Sequence, residues 1–347
     1  MEMMSIGAIT ALTGLACGLV LGLAARLGDF CTLGALESAV YGGDQRRARM
    51  WGIVLGAAIL ATWLGSTAGM IDVGATIYHD ISWNPLASLV GGLVFGYGMA
   101  LAGNCGFGAL ARFGGGDLRA LVIVVVMGIV GLMTLSGPLA PLRTALFPQQ
   151  AATAPQGVLA DLGQIGVPPV LAVAVLSLGL MAWGLASPAL RARPASVFWA
   201  FAVGLAVAGS LAATSLLAAT SFEPITVEGP SYTAPIGRTL LYLMTASGGG
   251  LSFSVGSVSG VVLGALAGSL IRGLFRWEAC DDPRELGRQV SGAAMMGVGG
   301  IVAMGCSIGQ GVTGFATLAW SGPVTLAAIA IGGRIGLGQL IGGSQPK

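Results

Sequence analysis

Long apolar stretches separated by short groups of charged residues dominate the pattern along the chain. A helix needs about 20 apolar residues to cross the hydrocarbon core of a bilayer. The pattern therefore predicts nine transmembrane helices embedded in the lipid bilayer. They are residues 1–25, 50–71, 85–102, 120–136, 168–186, 196–220, 256–271, 290–304 and 323–336. The first stretch carries one charge, Glu2, and has no basic segment before it, which indicates a retained helix rather than a signal peptide.

Four further apolar segments are too short to cross a membrane and too apolar for solvent-exposed loops. They are residues 30–41, 105–113, 238–247 and 306–318. Irregular backbone is tolerated at membrane depth only where protein or a polar cavity covers it. We therefore predict four re-entrant half-helices. Residues 137–167 are rich in Pro and Gln and are predicted to form an external loop.

Composition agrees with a membrane protein and excludes other classes. Charged residues make up 9% of the 347 residues, against about 25% in soluble domains, and mean hydropathy is +0.86. A soluble enzyme is excluded, and a net charge of +2 gives no basic surface for nucleic acid. A single histidine and five cysteines without a CxxC motif predict no metal, no cofactor and no disulfide framework. The 59 glycines indicate close helix packing and interrupted helices.

The arginines indicate the orientation in the membrane. If the N-terminus lies outside, nearly all of the 16 basic residues fall on one face, and the opposite face keeps only Arg143 and Arg238. Cytoplasmic loops are enriched in Lys and Arg. We therefore expect an external N-terminus and a cytoplasmic C-terminus.

An internal repeat predicts the architecture. The segment GIVLGA at residues 52–57 recurs as GVVLGA at residues 260–265, and aligning Cys105 with Cys306 also aligns several glycines. We interpret residues 1–347 as one transport domain with a first repeat at about 5–137 and a second at about 196–340. A single linker helix at about 168–186 inverts the second repeat, an arrangement common among transporters. In such proteins the substrate site lies at mid-membrane, where the two repeats meet.

Three glycine-rich loops are the candidate site: GDFCTLG at 28–34, GNCGFG at 103–108 and GCSIGQG at 305–311. Each loop precedes a half-helix, whose free N–H groups and positive dipole end favour an anion. A neutral thiol adds a weak S–H donor, which suits an anion with a polarizable sulfur. The candidate path residues are Cys31, Cys105 and Cys306. The supporting loop residues are Gly103, Asn104, Gly106, Gly108, Gly305, Ser307, Gly309 and Gln310.

Other residues of the same types receive different interpretations. Near residues 237–239, the counterpart of the first loop has no cysteine, but it carries Arg238, a candidate for an outer vestibule. Cys17 is interpreted as a packing residue and Cys280 as a loop thiol. Asp29 and Glu37 are candidates for a role in transport, but each could equally pair with Arg26 or remain at the cytoplasmic interface.

The three loops, in this order within a glycine-rich chain of nine crossings, resemble those of the YeeE/YedE family of sulfur-compound transporters. The resemblance implies an hourglass-shaped inner-membrane protein that imports thiosulfate into the bacterial cytoplasm. It also implies a path from Cys306 on the outer side, through Cys105 at the constriction, to Cys31 on the inner side. Thiosulfate would pass by transient S–H···S contacts without cleavage, and a TusA-like sulfurtransferase would be the cytoplasmic partner. Gly106 departs from the family, in which we expect proline in many members.

Several alternatives remain open from the sequence. The substrate could be another sulfur or selenium species, or the protein could be a membrane thiol relay that hands sulfur to a cytoplasmic sulfurtransferase. A thiol oxidoreductase is disfavoured by the absence of CxxC. A cation transporter is disfavoured because Asp, Glu and His are almost absent at membrane depth. The prediction is a transporter and not an enzyme.

Overall fold

The computed structural model describes residues 5–154, 156–222, 224–246, 250–279 and 282–343. These residues form helices and no strands, with three isolated β-bridges between loops. Glu2 and Cys280 lie outside the described residues. Sixteen α-helices and one π-helix follow one another as α1 Ile6–Leu27, α2 Thr32–Val40, α3 Arg46–Thr67, α4 Ile77–Asp80, α5 Pro85–Ala102, α6 Gly106–Gly114, α7 Leu118–Leu135, α8 Ala140–Leu146, α9 Val158–Gln164, α10 Pro169–Leu185, α11 Pro188–Arg191, α12 Pro194–Thr220, α13 Ala234–Met244, α14 Phe253–Ile271, α15 Pro283–Val302, the π-helix Gly309–Gly314 and α16 Ser321–Gly343.

Seven helical segments of the described chain are long and apolar enough to cross a membrane. The protein is therefore an all-helical, multi-pass membrane protein. Two of the predicted crossings are not among the seven. Helix α10 is apolar but has only 17 residues, and α15 carries Arg284, Glu285 and Arg288 in its first turns. The predicted number of nine crossings stays a prediction.

Glycines let the long helices approach until their backbones touch. Along α1, Gly14, Gly18 and Gly22 face α14, where Gly260 lies against Gly18. A Cβ atom added at Gly18 would lie 3.0 Å from the Cα of Gly260 and would overlap the carbonyl oxygen of Ser257. Small residues at such contacts allow the extensive van der Waals packing that drives association of membrane helices. The close packing expected from the glycine content is confirmed here.

The helix contacts come in matched pairs. The contact between α1 and α14 corresponds to the contact between α12 and α3. The contact between α5 and α16 corresponds in the same way to the contact between α15 and α7. The short helices follow the same pattern, because α2 contacts α16 as α13 contacts α7, and α6 contacts α14 as the π-helix contacts α3. Helix α10 has no counterpart among these pairs and packs on α3.

Several helix boundaries differ from the sequence prediction. Helix α13 begins at Ala234 rather than at residue 238, because Thr233 stands at its N-cap and Pro235 suits a first turn. The predicted end of this segment, Ser247, lies outside the described residues. Helix α15 begins at Pro283 rather than at residue 290, because Asp282 caps it by accepting the N–H of Arg284 and Pro283 suits its first turn. The predicted loop at 137–167 contains the short helices α8 and α9.

Candidate functional site

Each candidate cysteine accepts a hydrogen bond at the start of a short helical segment. Cys31 Sγ accepts from the N–H of Gly34 at 3.4 Å, and Cys105 Sγ accepts from the N–H of Gly108 at 3.3 Å. Cys306 Sγ accepts from the N–H of Gly309 at 3.4 Å, in the turn that leads into the π-helix. A side chain in this position satisfies one of the free N–H groups of the first turn.

The sequence contains a signal for this arrangement. Cys-x-x-Gly occurs in all three loops, at residues 31–34, 105–108 and 306–309. The glycines of the second and third loops were singled out as supporting residues, but their N–H groups were not recognised as donors to the thiols.

The three loops meet inside the protein. Cys105 Sγ donates to Thr32 Oγ1 at 3.8 Å, and Thr32 Oγ1 donates to Ser307 Oγ at 3.1 Å. Cys105, Cys306 and Ser307 are completely buried, whereas Cys31 is partly exposed. We call the place where these side chains meet the junction.

Aromatic rings surround the junction. The ring of Phe107 lies 5.9 Å from that of Phe30 and 5.5 Å from that of Tyr232, and Phe30 lies 5.2 Å from Trp51. The backbone N–H of Tyr232 donates to Cys306 Sγ at 3.2 Å. Tyr232 was not singled out from the sequence, because its loop carries neither a cysteine nor a glycine-rich motif.

The junction is electrically neutral. Among the described residues, Asp117 is the one charged side chain that is buried, and it stands at the N-cap of α7. The polar groups at the junction are thiols, hydroxyls and backbone N–H groups. Such groups donate hydrogen bonds to an anion without the strong attraction of a fixed positive charge.

Four of the supporting loop residues hold the loops in place. Gly103 ends α5 with a φ of 71°, a left-handed conformation that glycine adopts without strain. Gln310 is completely buried and donates from Nε2 to the carbonyl oxygen of Ala303 at 2.7 Å, which ties the π-helix to the end of α15. Cβ atoms at Gly305 and Gly309 would crowd Gln310 and Ser231, respectively.

The remaining supporting residues are small or buried. A Cβ atom at Gly106 would lie 2.7 Å from the carbonyl oxygen of Tyr232. Any residue larger than glycine at this position would therefore collide with the loop that contains Tyr232. This contact gives a local reason for glycine at the position where family members are expected to have proline. Asn104 is buried beside Gly108.

Arg26 holds the far end of the short helix that begins at Cys105. Its Nε and one terminal nitrogen donate to the carbonyl oxygen of Ala111 at 3.1 and 2.8 Å, and the same terminal nitrogen donates to that of Arg112 at 3.3 Å. The carbonyl of Ala111 lies in the last turn of α6, where carbonyls lack a partner within the helix, whereas that of Arg112 also accepts the backbone N–H of Gly115 at 2.9 Å. A cation at a helix C-terminus is favourable. Arg26 therefore positions α6.

The acidic residues near the cytoplasmic loops do not pair with Arg26. Asp29 pairs instead with Arg193 at 3.8 Å and with Arg272 at 3.4 Å. The side chain of Glu37 is exposed. The interpretation that either acid pairs with Arg26 is wrong, because the guanidinium of Arg26 donates its hydrogen bonds to carbonyl groups of α6.

We expect Arg26→Gln to lower the melting temperature of the detergent-purified protein by about 3–8 °C. The substitution removes charge-assisted hydrogen bonds at a half-buried site, with a loss of about 1.5–3 kcal/mol. The control is Arg193→Gln, which loses one exposed ion pair and is expected to melt within about 1 °C of the wild type. Equal melting temperatures for Arg26→Gln and the wild type would show that Arg26 does not hold α6.

Arg238 lies on α13, in a pair with Glu228 rather than at the junction. Its guanidinium is half exposed and lies 3.9 Å from Glu228 Oε2. Partial burial of Glu228, whose side chain is 24% exposed, raises the pKa of its carboxyl, and the neighbouring Arg238 opposes this rise. Sequence reasoning missed Glu228, because the pair spans two elements and no local pattern connects them.

Cys17 lies away from the junction. It is buried in α1, and its Sγ donates to the carbonyl oxygen of Ala206 on α12 at 3.5 Å. The structure therefore gives Cys17 a packing contact between α1 and α12, in agreement with its interpretation from the sequence.

Comparison with known proteins gives consistent matches over most of the chain. A family model described as sulphur transport matches residues 27–335. A thiosulfate transporter, TsuA, from Escherichia coli strain K12 is 26% identical over 332 residues, which cover 92% of each chain. The TsuA thiosulfate transporter of Spirochaeta thermophila is 24% identical over 319 residues, covering 89% of this chain and 92% of that protein.

Proposed function

The chain belongs to the sulphur transport family, and from this premise we propose that it imports thiosulfate across the bacterial inner membrane. The names of the two relatives support thiosulfate as the substrate. The observation that carries the proposal is the neutral junction, where loops containing Cys31, Cys105 and Cys306 meet at the start of three short helical segments.

The proposed topology has nine crossings, with the N-terminus outside and the C-terminus in the cytoplasm. The crossings are α1, α3, α5, α7, α10, α12, α14, α15 and α16. Each has between 17 and 27 residues, a length sufficient to span most of the hydrocarbon core. The short segments α2, α6, α13 and the π-helix are re-entrant in this topology. The bias of the arginines towards one face supports the orientation.

The proposed architecture is an inverted repeat, with α10 as the linker. The first repeat is residues 5–137 and the second is residues 196–340. The matched pairs of helix contacts support this division, since two copies of one unit related by a two-fold axis produce such pairs. Cys105 and Cys306 occupy equivalent places in the two units, and their loops approach the junction.

In the proposed mechanism, thiols and backbone N–H groups replace part of the hydration of the anion. The terminal sulfur of thiosulfate accepts an S–H hydrogen bond first from Cys306, then from Cys105 and finally from Cys31. No bond within thiosulfate breaks, and each thiol keeps its proton. Neutral thiols suit this role, because thiolates would repel the dianion and fixed cations would hold it too strongly. A TusA-like sulfurtransferase is the proposed partner at the cytoplasmic face.

The test is uptake of sulfur-labelled thiosulfate into proteoliposomes that contain the purified protein. We expect label to accumulate inside the vesicles, unlabelled thiosulfate to compete fully, and sulfate and selenite to compete weakly. Absence of protein-dependent uptake would contradict the proposal. Strong competition by selenite would favour a selenium species as the substrate, and label bound covalently to the protein would favour the thiol relay.

The ion pair at the outer face predicts two opposite effects on uptake. Arg238→Glu replaces a cation with an anion beside Glu228 and is expected to raise KM for thiosulfate about threefold or more at low ionic strength. Glu228→Gln removes the neighbouring negative charge and is expected to lower KM. Both effects should weaken as salt is added, because exposed charges are screened. Equal KM values for both variants and the wild type would contradict the role of Arg238 in an outer vestibule.

A further inference from the structure

Two hydroxyl groups occupy the junction beside the thiols. Thr32 directly follows Cys31, and Ser307 directly follows Cys306. The hydrogen bond of 3.1 Å between their oxygens joins the loop of the inner cysteine to the loop of the outer cysteine. An anion that moves from Cys306 to Cys31 must therefore displace this bond or pass directly beside it.

Hydroxyls and thiols prefer different parts of a sulfur oxyanion. A thiol is a weak and polarizable donor, whereas a hydroxyl is a stronger donor that forms short hydrogen bonds to charged oxygen. Thiosulfate has both kinds of acceptor, since one end is a sulfur atom and the other end has three oxygen atoms. The junction places both kinds of donor within one hydrogen-bonded chain, Cys105 to Thr32 to Ser307.

We infer that Thr32 and Ser307 bind the oxygen atoms of the substrate and so determine its specificity, an inference that rests on the proposed function. In the structure the hydroxyl of Thr32 donates to that of Ser307. When the anion reaches the junction, its oxygens replace the bond between the hydroxyls while its sulfur contacts a thiol. The bond between Thr32 and Ser307 re-forms after the anion leaves.

This arrangement explains how a path without fixed charge distinguishes thiosulfate from related ions. Sulfate offers oxygens to the hydroxyls but no terminal sulfur to the thiols. Hydrosulfide offers sulfur but no oxygen. Thiosulfate uses both sets of donors at the same time. A hydrogen bond to a charged group is stronger than one between neutral groups. A few such bonds therefore give a large difference between the affinity for thiosulfate and the affinity for sulfate or hydrosulfide.

The inference is tested by uptake kinetics of labelled thiosulfate in proteoliposomes with Thr32→Val and Ser307→Ala. Each substitution removes a hydroxyl with little change of volume. We expect each to raise KM about tenfold or more, because one hydrogen bond to a charged oxygen is lost. The maximal rate should stay within about twofold. Thr32→Ser keeps the hydroxyl and is expected to retain the wild-type KM.

Thr62→Val and Ser177→Ala are the matched controls. Both side chains are buried in α3 and α10, and neither oxygen has a hydrogen-bond partner among the described residues. We expect both controls to keep the KM and the maximal rate of the wild type. If Thr32→Val does not insert or fold, Thr32→Ala provides the same loss of the hydroxyl with a smaller side chain.

The outcomes separate this inference from the proposed function. No uptake by the wild type overturns both. Normal uptake by the wild type with unchanged KM in Thr32→Val and Ser307→Ala overturns the inference alone. A lower maximal rate at unchanged KM also overturns it, because the hydroxyls then hold the loops without binding the anion.

Discussion

Replacement of Cys105 or Cys306 by alanine is expected to abolish thiosulfate uptake, with a fall of at least about a hundredfold. In the proposed mechanism each thiol has two roles at the junction: it offers an S–H donor to the sulfur of the anion, and, as the structure shows, it accepts the N–H of Gly108 or Gly309 at the start of a short helical segment. Alanine removes both. The measurement is uptake of labelled thiosulfate into proteoliposomes at matched protein content.

Serine substitutions separate these two roles. A serine hydroxyl is a good acceptor at a helix N-cap, so Cys105→Ser should retain the hydrogen bond to the N–H of Gly108 and a normal melting temperature. It lacks the polarizable thiol, so we expect uptake to remain strongly reduced. Full uptake by Cys105→Ser would show that capping, and not the thiol, is what transport requires.

Cys17→Ala is the matched control for the alanine series. Cys17 is also buried, but its contact is with the carbonyl oxygen of Ala206 between α1 and α12. Its replacement is expected to leave uptake unchanged after correction for expression. Cys280→Ala is expected to behave in the same way. Wild-type uptake by both Cys105→Ala and Cys306→Ala would contradict passage along a series of thiols.

The sequence predicted the elements of this fold better than their contacts. Uncharged stretches locate long helices because the bilayer excludes charge, and glycine-rich breaks located α2 and α6 close to their observed starts. The start of α13 was misplaced because Thr233 and Pro235 form a helix start without any glycine-rich break. A pattern based on charge and glycine does not detect such a start.

The candidate site was predicted only as a set of loops. The bond between Thr32 and Ser307 joins residues 275 positions apart, and the contact of Tyr232 with Cys306 joins residues 74 positions apart. Contacts of this kind depend on how the helices pack against each other. The spacing of residues within one loop does not predict that packing. The role of the thiols as hydrogen-bond acceptors was nevertheless present in the spacing Cys-x-x-Gly.

The few charges of this chain also hold its helices in place. Arg26 donates to the carbonyl oxygen of Ala111 near the end of α6, and Asp29 pairs with Arg193 and Arg272 beside the first cysteine loop. Arginines from which the sequence predicts the cytoplasmic face thus also hold helix ends and the first cysteine loop in place. None of these charged side chains is among the hydrogen-bonded groups that form the junction.

Among substitutions of a single helical glycine by alanine, Gly256→Ala is expected to destabilise the protein most. A Cβ atom at Gly256 would overlap the carbonyl oxygen of Ala11, so α1 and α14 must move apart along the contact that also includes Gly18 and Gly260. Overpacking of a rigid contact typically costs about 1–3 kcal/mol, and more where backbone must move. We expect a fall in melting temperature of at least about 5 °C, measured by size-exclusion chromatography after heating in detergent.

Gly209→Ala and Gly179→Ala are the controls for this prediction. Both glycines lie within long helices, and a Cβ atom at either position meets nothing within 4 Å. Alanine is the better helix former by about 1 kcal/mol, so these variants should melt at or slightly above the wild-type temperature. A similar loss in all three variants would mean that glycine acts here through helix flexibility rather than through close approach.

A double substitution tests whether the contact between α1 and α14 acts as one unit. Gly18 and Gly260 face each other, since a Cβ atom added at either would lie 3.0 Å from the Cα atom of the other. Gly18→Ala should already separate the helices locally, so adding Gly260→Ala should lower the melting temperature by less than it does alone. Such non-additivity is expected for residues in direct contact. Simple additivity of the two losses would place the two glycines in independent contacts and would contradict the direct backbone approach of α1 and α14.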